Sequence, residues 1–494
     1  MPLVLGLDVS TTATKAVLVD GMGTVRGIGQ HEYGTSAPLP LWSEQDPADW
    51  WDAAIVAIRA ALEAAAAHAD EIEAIGLTGQ MHGAVLLDGS DRVLRPAILW
   101  NDQRTAAECD LIRELVGPSR LISITGNDAL NGFTAPKLLW VHEHEPTVWR
   151  QIAHLLLPKD YVRLQLTGDH AVDKADGSGT LLFDMRARDW SDEVLGVLGI
   201  PRAWMPRAAE GPEVTGVVSQ SAADATGLRP DTPVVAGGGD QAANAIGVGA
   251  LGPGTMALSL GTSGVVFAGT DHPLYEPAGR VHAFCHAVPD RWHMMSVMLS
   301  AAGSLRWYRD ALAPGTPFDQ LVSEAEQVPP GSDGLFFLPY LSGERSPHPD
   351  PMARGAFVGL TLSHRRPQLT RAVLEGVAFG LRDGFDLMRA AGIPAPSEIR
   401  ASGGGMISPL WRQILADVLD VEIVAASTTE GAAYGAALLG AVGAGWFPTV
   451  QDAVDALVTT SPVAAPGPDV EAYAAAHVTY AGLYPALASS FQRM

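Results

Sequence analysis

The stretch that decides the fold reads Val234–Val235–Ala236–Gly237–Gly238–Gly239–Asp240–Gln241 and lies near the middle of the chain. Its short apolar run predicts a buried strand, and the small residues after Asp240 favour a helix. The three glycines between them leave the backbone open to close approach by another molecule. The carboxylate of Asp240 is therefore predicted at a strand-to-helix corner, either as a helix cap or as a functional acid.

Two similar strand–turn–strand segments lie on either side of this corner. The first joins the apolar runs Leu3–Asp8 and Thr14–Asp20 through a small polar turn, residues 9–13. The second occupies residues 256–268 and turns at Gly261–Gly264. Such a repetition predicts a duplicated α/β fold.

The chain length also indicates two domains, because single cores stop growing at about 250–300 residues and this chain has 494. Turn-forming residues at Leu251–Gly254 predict a boundary there. The expected domains are residues 1–250 and 251–494. An Asp46–Pro47 start signal, followed by Trp51, Ile55, Ile58 and Leu62 at helical spacing, predicts a helix with one face on a sheet.

Composition excludes several classes of function. A formal net charge of −23 repels nucleic acid and anionic membranes. The run Gly431–Trp446 is apolar but short and rich in glycine, which favours a tightly packed buried helix over a membrane span. The cysteines Cys109 and Cys285 are too few for a disulfide framework, so a reducing compartment such as the cytoplasm is expected. A homodimeric assembly stays open.

No segment matches a P-loop or a Rossmann fingerprint, and none has structural zinc spacing. Instead, small polar turns at residues 9–13, 261–264 and 402–405 each follow a predicted strand. Backbone N–H groups in such turns form anion sites, which suggests a nucleotide held between two lobes. Asp8 could serve Mg²⁺ through water, and Lys15 could neutralise a phosphate, although a turn acid and a surface lysine are the ordinary alternatives.

A kinked corner at Gly79–Gln80–Met81–His82–Gly83 follows another predicted strand. Open α/β sheets bind ligands at such strand ends, and an imidazole beside an amide suits a polyhydroxylated ligand. A core methionine and a satisfied histidine are the simpler alternatives for Met81 and His82. The segment Gly168–Asp189, rich in Gly, Asp and Ser, is predicted to be a functional loop.

Matching stretches run nearly from end to end of the chain. They are Trp42–Pro47, Gly79–Gly83, Ile98–Asp102, Phe133–Lys137, Leu157–Tyr161, Ala236–Asp240, Leu258–Gly264 and Leu338–Arg345. They resemble the carbohydrate-kinase family of the actin-like ATPase superfamily, which includes glycerol and gluconate kinases. The Gln80–Gly83 corner is the most specific, because glycerol kinases have an Arg–Glu pair at the comparable place.

The resemblance implies roles for the matched residues. Asp240 corresponds to the catalytic base and Asp8 to the acid near Mg²⁺. The residues implied in sugar binding are Met81, His82, Asn101, Asp240 and Gln241. The residues implied in nucleotide binding are Thr11, Thr12, Lys15, Gly261, Thr262, Gly404 and Gly405. Two departures concern the nucleotide: Ser10 stands where the family usually has Gly, and Ser408–Pro409 where it often has Asn.

The implied fold is α/β, with two actin-like (ribonuclease H-like) domains around a cleft. The N-terminal domain would bind sugar and supply the base, and the C-terminal domain would bind ATP. The chain is similar to family members that transfer the γ-phosphoryl group of ATP to the 5-hydroxyl of D-xylulose. A kinase for another ketose or polyol, such as ribulose, gluconate or glycerol, stays open. So do a chaperone-like or regulatory ATPase and a sugar-responsive binding protein.

Overall fold

A computed structural model describes residues 1–428 and 430–494. Within these residues the longer strands form two large mixed sheets, one built from the first half of the chain and one from the second. Helices flank both sheets, so the predicted two-part α/β fold is confirmed.

The first half contains the strands that carry the predicted acid and sugar corner. Its strands are β1 (Leu3–Val9), β2 (Ala13–Asp20), β3 (Val25–Glu32), β4 (Glu44–Gln45), β5 (Ile72–Gly79), β6 (Val85–Leu87), β7 (Ala97–Ile98), β8 (His154–Leu156), β9 (Ala171–Asp173), β10 (Phe183–Asp184), β11 (Asp189–Trp190), β12 (Arg207–Ala209), β13 (Val214–Val217), β14 (Pro233–Val235) and β15 (Gly238–Gly239). Its helices are α1 (Pro47–Ala65), α2 (Ala106–Val116), α3 (Pro118–Thr125), α4 (Thr134–His144), α5 (Pro146–Trp149), α6 (Pro158–Thr167), α7 (Lys174–Ser178), α8 (Asp192–Val197), α9 (Gln220–Thr226) and α10 (Asp240–Val248).

The second half begins with the repeated hairpin. Its strands are β16 (Thr255–Leu260), β17 (Gly264–Thr270), β18 (His282–Cys285), β19 (Trp292–Met298), β20 (Phe336–Leu338), β21 (Ala356–Val358), β22 (Glu398–Ser402), β23 (Glu422–Ala426) and β24 (Thr460–Ala464). Its helices are α11 (Ala302–Leu312), α12 (Phe318–Ala325), α13 (Arg366–Ala390), α14 (Pro409–Leu419), α15 (Gly431–Gly443), α16 (Val450–Leu457), α17 (Val470–Ala481) and α18 (Leu483–Phe491).

The first sheet aligns the ends of three strands. Its order is β13-β14-β5-β1-β2-β3, with β15 also paired to β5. β1 and β15 both run parallel to β5, and Val9 and Gly239 each lie opposite Gly79. Carboxyl ends of parallel strands share one edge of a sheet, so Asp8 and Asp240 are brought to the same edge as the Gln80–Gly83 corner.

The second sheet has the order β18-β19-β17-β16-β22-β23-β24. The β16–β17 hairpin repeats the antiparallel β1–β2 hairpin, which confirms both predicted hairpins. β16 and β22 are parallel, with Ser259 opposite Ser402. The turns that follow these two strands therefore lie side by side.

Helix α15 comes from the second half of the sequence but packs on the first sheet. A Cβ on Gly6 of β1 would lie 1.9 Å from the Ala433 carbonyl oxygen, and one on Gly76 of β5 would lie 1.8 Å from that of Ala436. The absence of these side chains allows backbone contact between helix and sheet. The predicted buried helix is confirmed, whereas the division at residue 250 stays a prediction. Among the described residues, no helix has the length and hydropathy that crossing a bilayer requires.

Helix α1 packs on the first sheet with a wider face than the sequence predicts. Its buried residues are Pro47, Trp50, Ala53, Ala54, Ala57, Ile58 and Ala61. Of the predicted residues, Ile58 is buried, and Trp51 and Leu62 are half-buried and pack against the same core, whereas Ile55 is only half-buried at the edge of this face. The alanine face packs more closely because β3 presents glycines: a Cβ on Gly29 would lie 2.0 Å from the Ala57 carbonyl oxygen.

Candidate active site

Glycines bring the predicted sugar corner against the predicted base. A Cβ on Gly239, directly before Asp240, would lie 2.9 Å from the Met81 sulfur. A Cβ on Gly179 would lie 2.7 Å from the Met81 methyl carbon and 3.0 Å from His82 Cε1. Met81 therefore lies between two side-chain-free positions, and the segments bearing Asp240 and His82 converge around it.

Asp240 is the first residue of α10, and Gly239 occupies the cap position before it. Its Oδ1 accepts a 2.7 Å hydrogen bond from the backbone N–H of Gln241. Burial raises the pKa of the carboxyl group to about 6, although the Gln241 hydrogen bonds lower it. The group remains partly exposed to solvent. At neutral pH it is mainly an anion, with a pKa close to the value that suits a general base.

Asp8 lies beside Asp240 and has a more strongly perturbed carboxyl group. Burial, followed by the negative charge of Asp240, raises the pKa of Asp8 to about 7, while Lys15 opposes the shift. Among the described residues, Asp8 Oδ1 is buried without a hydrogen-bond partner. An unpartnered carboxylate oxygen is a fitting ligand for Mg²⁺ or its bound water, and a bound cation would favour the anionic form.

His82 is held as a neutral ring in a defined tautomer. Its φ of 69° lies in the left-handed region, and its carbonyl oxygen accepts hydrogen bonds from Thr134 Oγ1 at 3.0 Å and Lys137 Nζ at 2.8 Å. Its Nδ1 lies 2.6 Å from the Gly179 carbonyl oxygen and must donate to it. Burial and the charge of Lys137 hold its pKa well below the usual value. Nε2 is consequently a hydrogen-bond acceptor.

The second half of the chain supplies part of this pocket, which the sequence analysis did not anticipate. Phe284 of β18 lies 6.1 Å from the His82 ring, centroid to centroid. The Arg345 guanidinium donates to the Trp100 carbonyl oxygen at 3.2 Å and helps to lower the pKa values of His82 and His282. The stretch Leu338–Arg345 is one of those that carry the family resemblance, but nothing in its sequence indicates contact with Trp100 or with the His82 corner.

The first small polar turn is connected to the sugar corner by hydrogen bonds. Thr11 Oγ1 accepts from Trp100 Nε1 at 2.9 Å and donates to Gln80 Oε1 at 3.3 Å. Gln45 Nε2 donates to the Thr11 carbonyl oxygen at 2.7 Å. Thr12 is exposed at the tip of the turn. A ligand held by this turn would therefore be coupled to the position of Gln80, next to Met81.

Lys15 lies opposite Asp8 in the β1–β2 pair. Its Nζ is 2.8 Å from Glu430 Oε2, in an ion pair that joins β2 to the residue before α15. The role of Lys15 in neutralising a phosphate stays a prediction. The Lys15 ammonium group, which lies opposite Asp8, is thus already paired with the Glu430 carboxylate.

The second and third turns form one surface. Gly261 and Thr262 accept hydrogen bonds through their carbonyl oxygens from the start of α11, and Thr262 is exposed. A Cβ on Gly405 would lie 2.5 Å from a Leu260 methyl carbon, whereas one on Gly404 would meet nothing within 4 Å. The backbone at Gly404 is thus open beside the Gly261–Thr262 turn, as a nucleotide loop requires.

Other predicted residues lie less centrally. Asn101 is exposed on the turn after β7, next to Trp100. The side chain of Gln241 is partly exposed at the start of α10, and its backbone N–H fixes Asp240. Ser408, which departs from the family pattern, caps α14 by accepting from the Trp411 N–H at 3.1 Å. The structure therefore gives this departure a local role in helix capping.

The model of the FGGY family of carbohydrate kinases, N-terminal domain, matches residues 3–247, and that of the C-terminal domain matches residues 256–444. The chain belongs to the FGGY family of carbohydrate kinases. This FGGY kinase is 48% identical over 414 residues to the xylulose kinase of Escherichia coli K12, covering 84% of each chain. It is an ATP-dependent carbohydrate kinase, as predicted.

Solved structures of the same family have the same fold. A xylulose kinase from Rhodospirillum rubrum superposes with a TM-score of 0.92 at 33% identity, covering 99% of this chain and all of the other. A gluconate kinase from Lactobacillus acidophilus gives a TM-score of 0.94 at 27% identity, covering 100% and 99%. Since relatives named for different sugars share the fold this closely, the overall fold does not identify the sugar.

Proposed function

We propose that this FGGY kinase phosphorylates the 5-hydroxyl of D-xylulose, giving D-xylulose 5-phosphate and ADP, and that it does so in the cytoplasm. The observation that carries this proposal is the convergence of Asp240 with Met81 and His82 across Gly239. The Gln–Met–His–Gly corner resembles the corresponding corner of family members that act on D-xylulose. The 48% identical relative is named a xylulose kinase.

The proposed chemistry begins with the terminal hydroxyl of the sugar facing Asp240. As the hydroxyl oxygen bonds to the γ-phosphorus, its proton passes to the Asp240 carboxylate and the bond between phosphorus and the β,γ-bridging oxygen breaks. A loose transition state delays the proton transfer, so a base with a pKa of about 6 is adequate. His82 Nε2 would accept a hydrogen bond from another sugar hydroxyl and so orient the chain.

The nucleotide is proposed to lie between the hydroxyl turns, with its phosphates near Thr11 and Thr262 and its adenosine near Gly404. Asp8 would hold Mg²⁺, directly or through water. Mg²⁺ would supply neutralisation of charge on the transferred phosphoryl group. Closure of the two halves would exclude water as a competing acceptor.

The test is a panel of D-xylulose, D-ribulose, glycerol and gluconate, each with Mg-ATP and an ADP-coupled readout. We expect the highest kcat/KM with D-xylulose and phosphate on its 5-oxygen by NMR. Asp240→Asn should nearly abolish turnover while retaining nucleotide binding. If the enzyme preferred gluconate, gluconate would replace D-xylulose as the proposed substrate. ATP hydrolysis that did not depend on sugar would favour a regulatory ATPase. Retained turnover in Asp240→Asn would refute the assignment of the base.

A further inference from the structure

A completely buried group of charges lies behind the candidate active site. It consists of Lys159, Asp160, Arg163, Asp173 and Asp176, whose side chains have no solvent exposure. Burying charges is costly unless they pair and form hydrogen bonds. Its members come from three consecutive elements, α6, the end of β9 and α7. Arg163 also connects the group to residues that are distant in sequence, Val235 and Ala236. We call these five residues the charged connector.

One arm of the connector leads to Asp240. Arg163 Nη1 donates at 2.7 Å to both the Val235 carbonyl oxygen and Thr215 Oγ1. Its Nη2 donates to the Ala236 carbonyl oxygen and, at 3.1 Å, to Asp160 Oδ1. Val235 ends β14 and Ala236 directly follows it, before the glycines that lead to Asp240. The planar guanidinium thus fixes both peptide groups from which the catalytic corner starts.

The other arm leads to His82. Lys159 Nζ lies 2.8 Å from Asp160 Oδ1, 2.6 Å from Asp173 Oδ2 and 3.1 Å from Asp176 Oδ2. Asp173 also caps α7 by accepting from the Asp176 N–H at 2.9 Å. The carbonyl oxygen of Gly179, directly after α7, receives the hydrogen bond from His82 Nδ1. Asp160 joins the two arms because it contacts both Arg163 and Lys159.

We infer that the charged connector positions the proton acceptor and the sugar-binding histidine relative to each other, and that it thereby sets which length of sugar the site accepts. This inference rests on the proposed function of the site. Asp240 would meet the reacting terminal hydroxyl and His82 a hydroxyl further along the chain. The separation between Asp240 and His82 would then determine which length of sugar fits. The buried contacts of the charged connector would hold both residues at that separation.

The connector residues are positioning residues and do not touch substrate. Changes in the two arms should therefore affect different kinetic constants, one for each arm. Loosening the Arg163 arm misplaces Asp240 and should lower kcat. Loosening the Asp173 arm releases Gly179 and the His82 ring, which should raise the KM for sugar. Misplacement by about 1 Å can cost about 100-fold in rate, so changes of roughly 10- to 100-fold are expected.

The first variant is Arg163→Lys, which keeps the positive charge but lacks the planar set of donors. We expect kcat to fall about 10- to 100-fold with the KM for Mg-ATP within about twofold. The control is Arg207→Lys, an exposed arginine of the same half of the chain that pairs with Glu213. This control should leave the kinetic constants unchanged.

The second variant is Asp173→Asn, which weakens the hold of Lys159 on α7. We expect the KM for sugar, and the dissociation constant of sugar without nucleotide, to rise about tenfold or more. In both variants, the ratio of kcat/KM for the preferred sugar to kcat/KM for a ketose one carbon longer should decrease. Asp192→Asn, an exposed change at the start of α8, is the matched control.

The sugar panel is run first with the unaltered enzyme, and the variants are assayed on the sugar it prefers. A preference other than D-xylulose would correct the proposed function and leave the connector test intact. If Arg163→Lys does not fold, Asp173→Asn and calorimetric sugar binding decide. Folded variants with unchanged kcat, sugar KM and length discrimination would overturn the inference. So would equal losses of sugar and Mg-ATP affinity, which would indicate a general structural defect.

Discussion

Replacing Asp240 by Asn should stabilise the enzyme while it removes activity. In the folded chain, burial makes ionisation of Asp240 unfavourable, but the proposed proton acceptor must be ionised. An amide has nearly the same shape and carries no charge. Asp240→Asn should therefore increase the free energy of unfolding at neutral and alkaline pH, even though turnover is nearly abolished. Such opposition between stability and activity is characteristic of functional sites.

The magnitude follows from the difference between the folded and ordinary pKa. The pKa of Asp240 rises from 3.8 to about 6. At about 1.4 kcal/mol for each pH unit, ionisation costs the folded state roughly 3 kcal/mol at pH 8. Partial solvent exposure and a weaker hydrogen bond from Gln241 to an amide oxygen reduce the expected gain to about 1–2 kcal/mol.

The pH dependence identifies the cause. Below pH 3.8 the carboxyl group is protonated in both folded and unfolded chains, so it contributes no difference. As the pH rises, the unfolded chain ionises first and the folded state loses stability until the pH passes about 6. The advantage of Asp240→Asn should thus be complete at pH 8 and about half as large at pH 5.

Urea unfolding followed by tryptophan fluorescence at pH 8 and pH 5 measures this advantage. Asp52→Asn, at an exposed position of α1, is the control and should change stability by less than about 0.5 kcal/mol at either pH. The reasoning would be refuted if Asp240→Asn were no more stable than the unaltered enzyme at pH 8. An advantage that did not shrink at pH 5 would show that ionisation was not its cause.

Three further predictions concern activity. A pH–rate profile should show kcat/KM for sugar falling about tenfold for each pH unit below about 6, because Asp240 must be ionised; a level profile down to pH 5 would contradict this. Asp8→Asn should raise the Mg²⁺ concentration needed for half-maximal rate at least about tenfold, and calorimetry should find sugar binding without nucleotide unchanged. Gly239→Ala places a Cβ 2.9 Å from the Met81 sulfur, so the KM of this variant for sugar should rise about tenfold. The control is Gly89→Ala, whose Cβ would meet nothing within 4 Å, and it should match the unaltered enzyme in steady-state assays.

Local sequence patterns predicted the parts of the fold whose causes are local. The hairpins around residues 9–13 and 261–264 were found because apolar runs flank small polar turns, and the structure confirms both. The Asp46–Pro47 signal located the start of α1 correctly, since Asp46 accepts from the Ala48 N–H at 3.0 Å. The sequence predicts Ile58 in the buried face of α1 but not the fully buried alanines, because their close packing depends on glycines of β3, which lie outside the helix.

Long-range contacts explain what the sequence analysis did not find in the site. Residues 168–189 were predicted to be a loop, but they contain β9, α7 and β10. Aspartates and glycines favour turns, whereas here Asp173 caps a helix and is held by Lys159 from α6. Phe284 reaches His82 through the strand order of the second sheet. Neither the Asp173–Lys159 contact nor the Phe284–His82 contact can be recognised from the spacing of neighbouring residues in the sequence.

The position of Asp240, the proposed base, is set by both halves of the chain. Asp240 begins α10, and α10 crosses α15 so closely that a Cβ on Gly435 would lie 1.8 Å from the Ala243 carbonyl oxygen. The residue before α15, Glu430, pairs with Lys15 opposite Asp8. Any movement of α15 relative to the first sheet would therefore be transmitted directly to the helix carrying Asp240 and to the charges beside Asp8. The glycines at this crossing allow backbone contact and leave no flexible side chains between the helices to absorb such a movement.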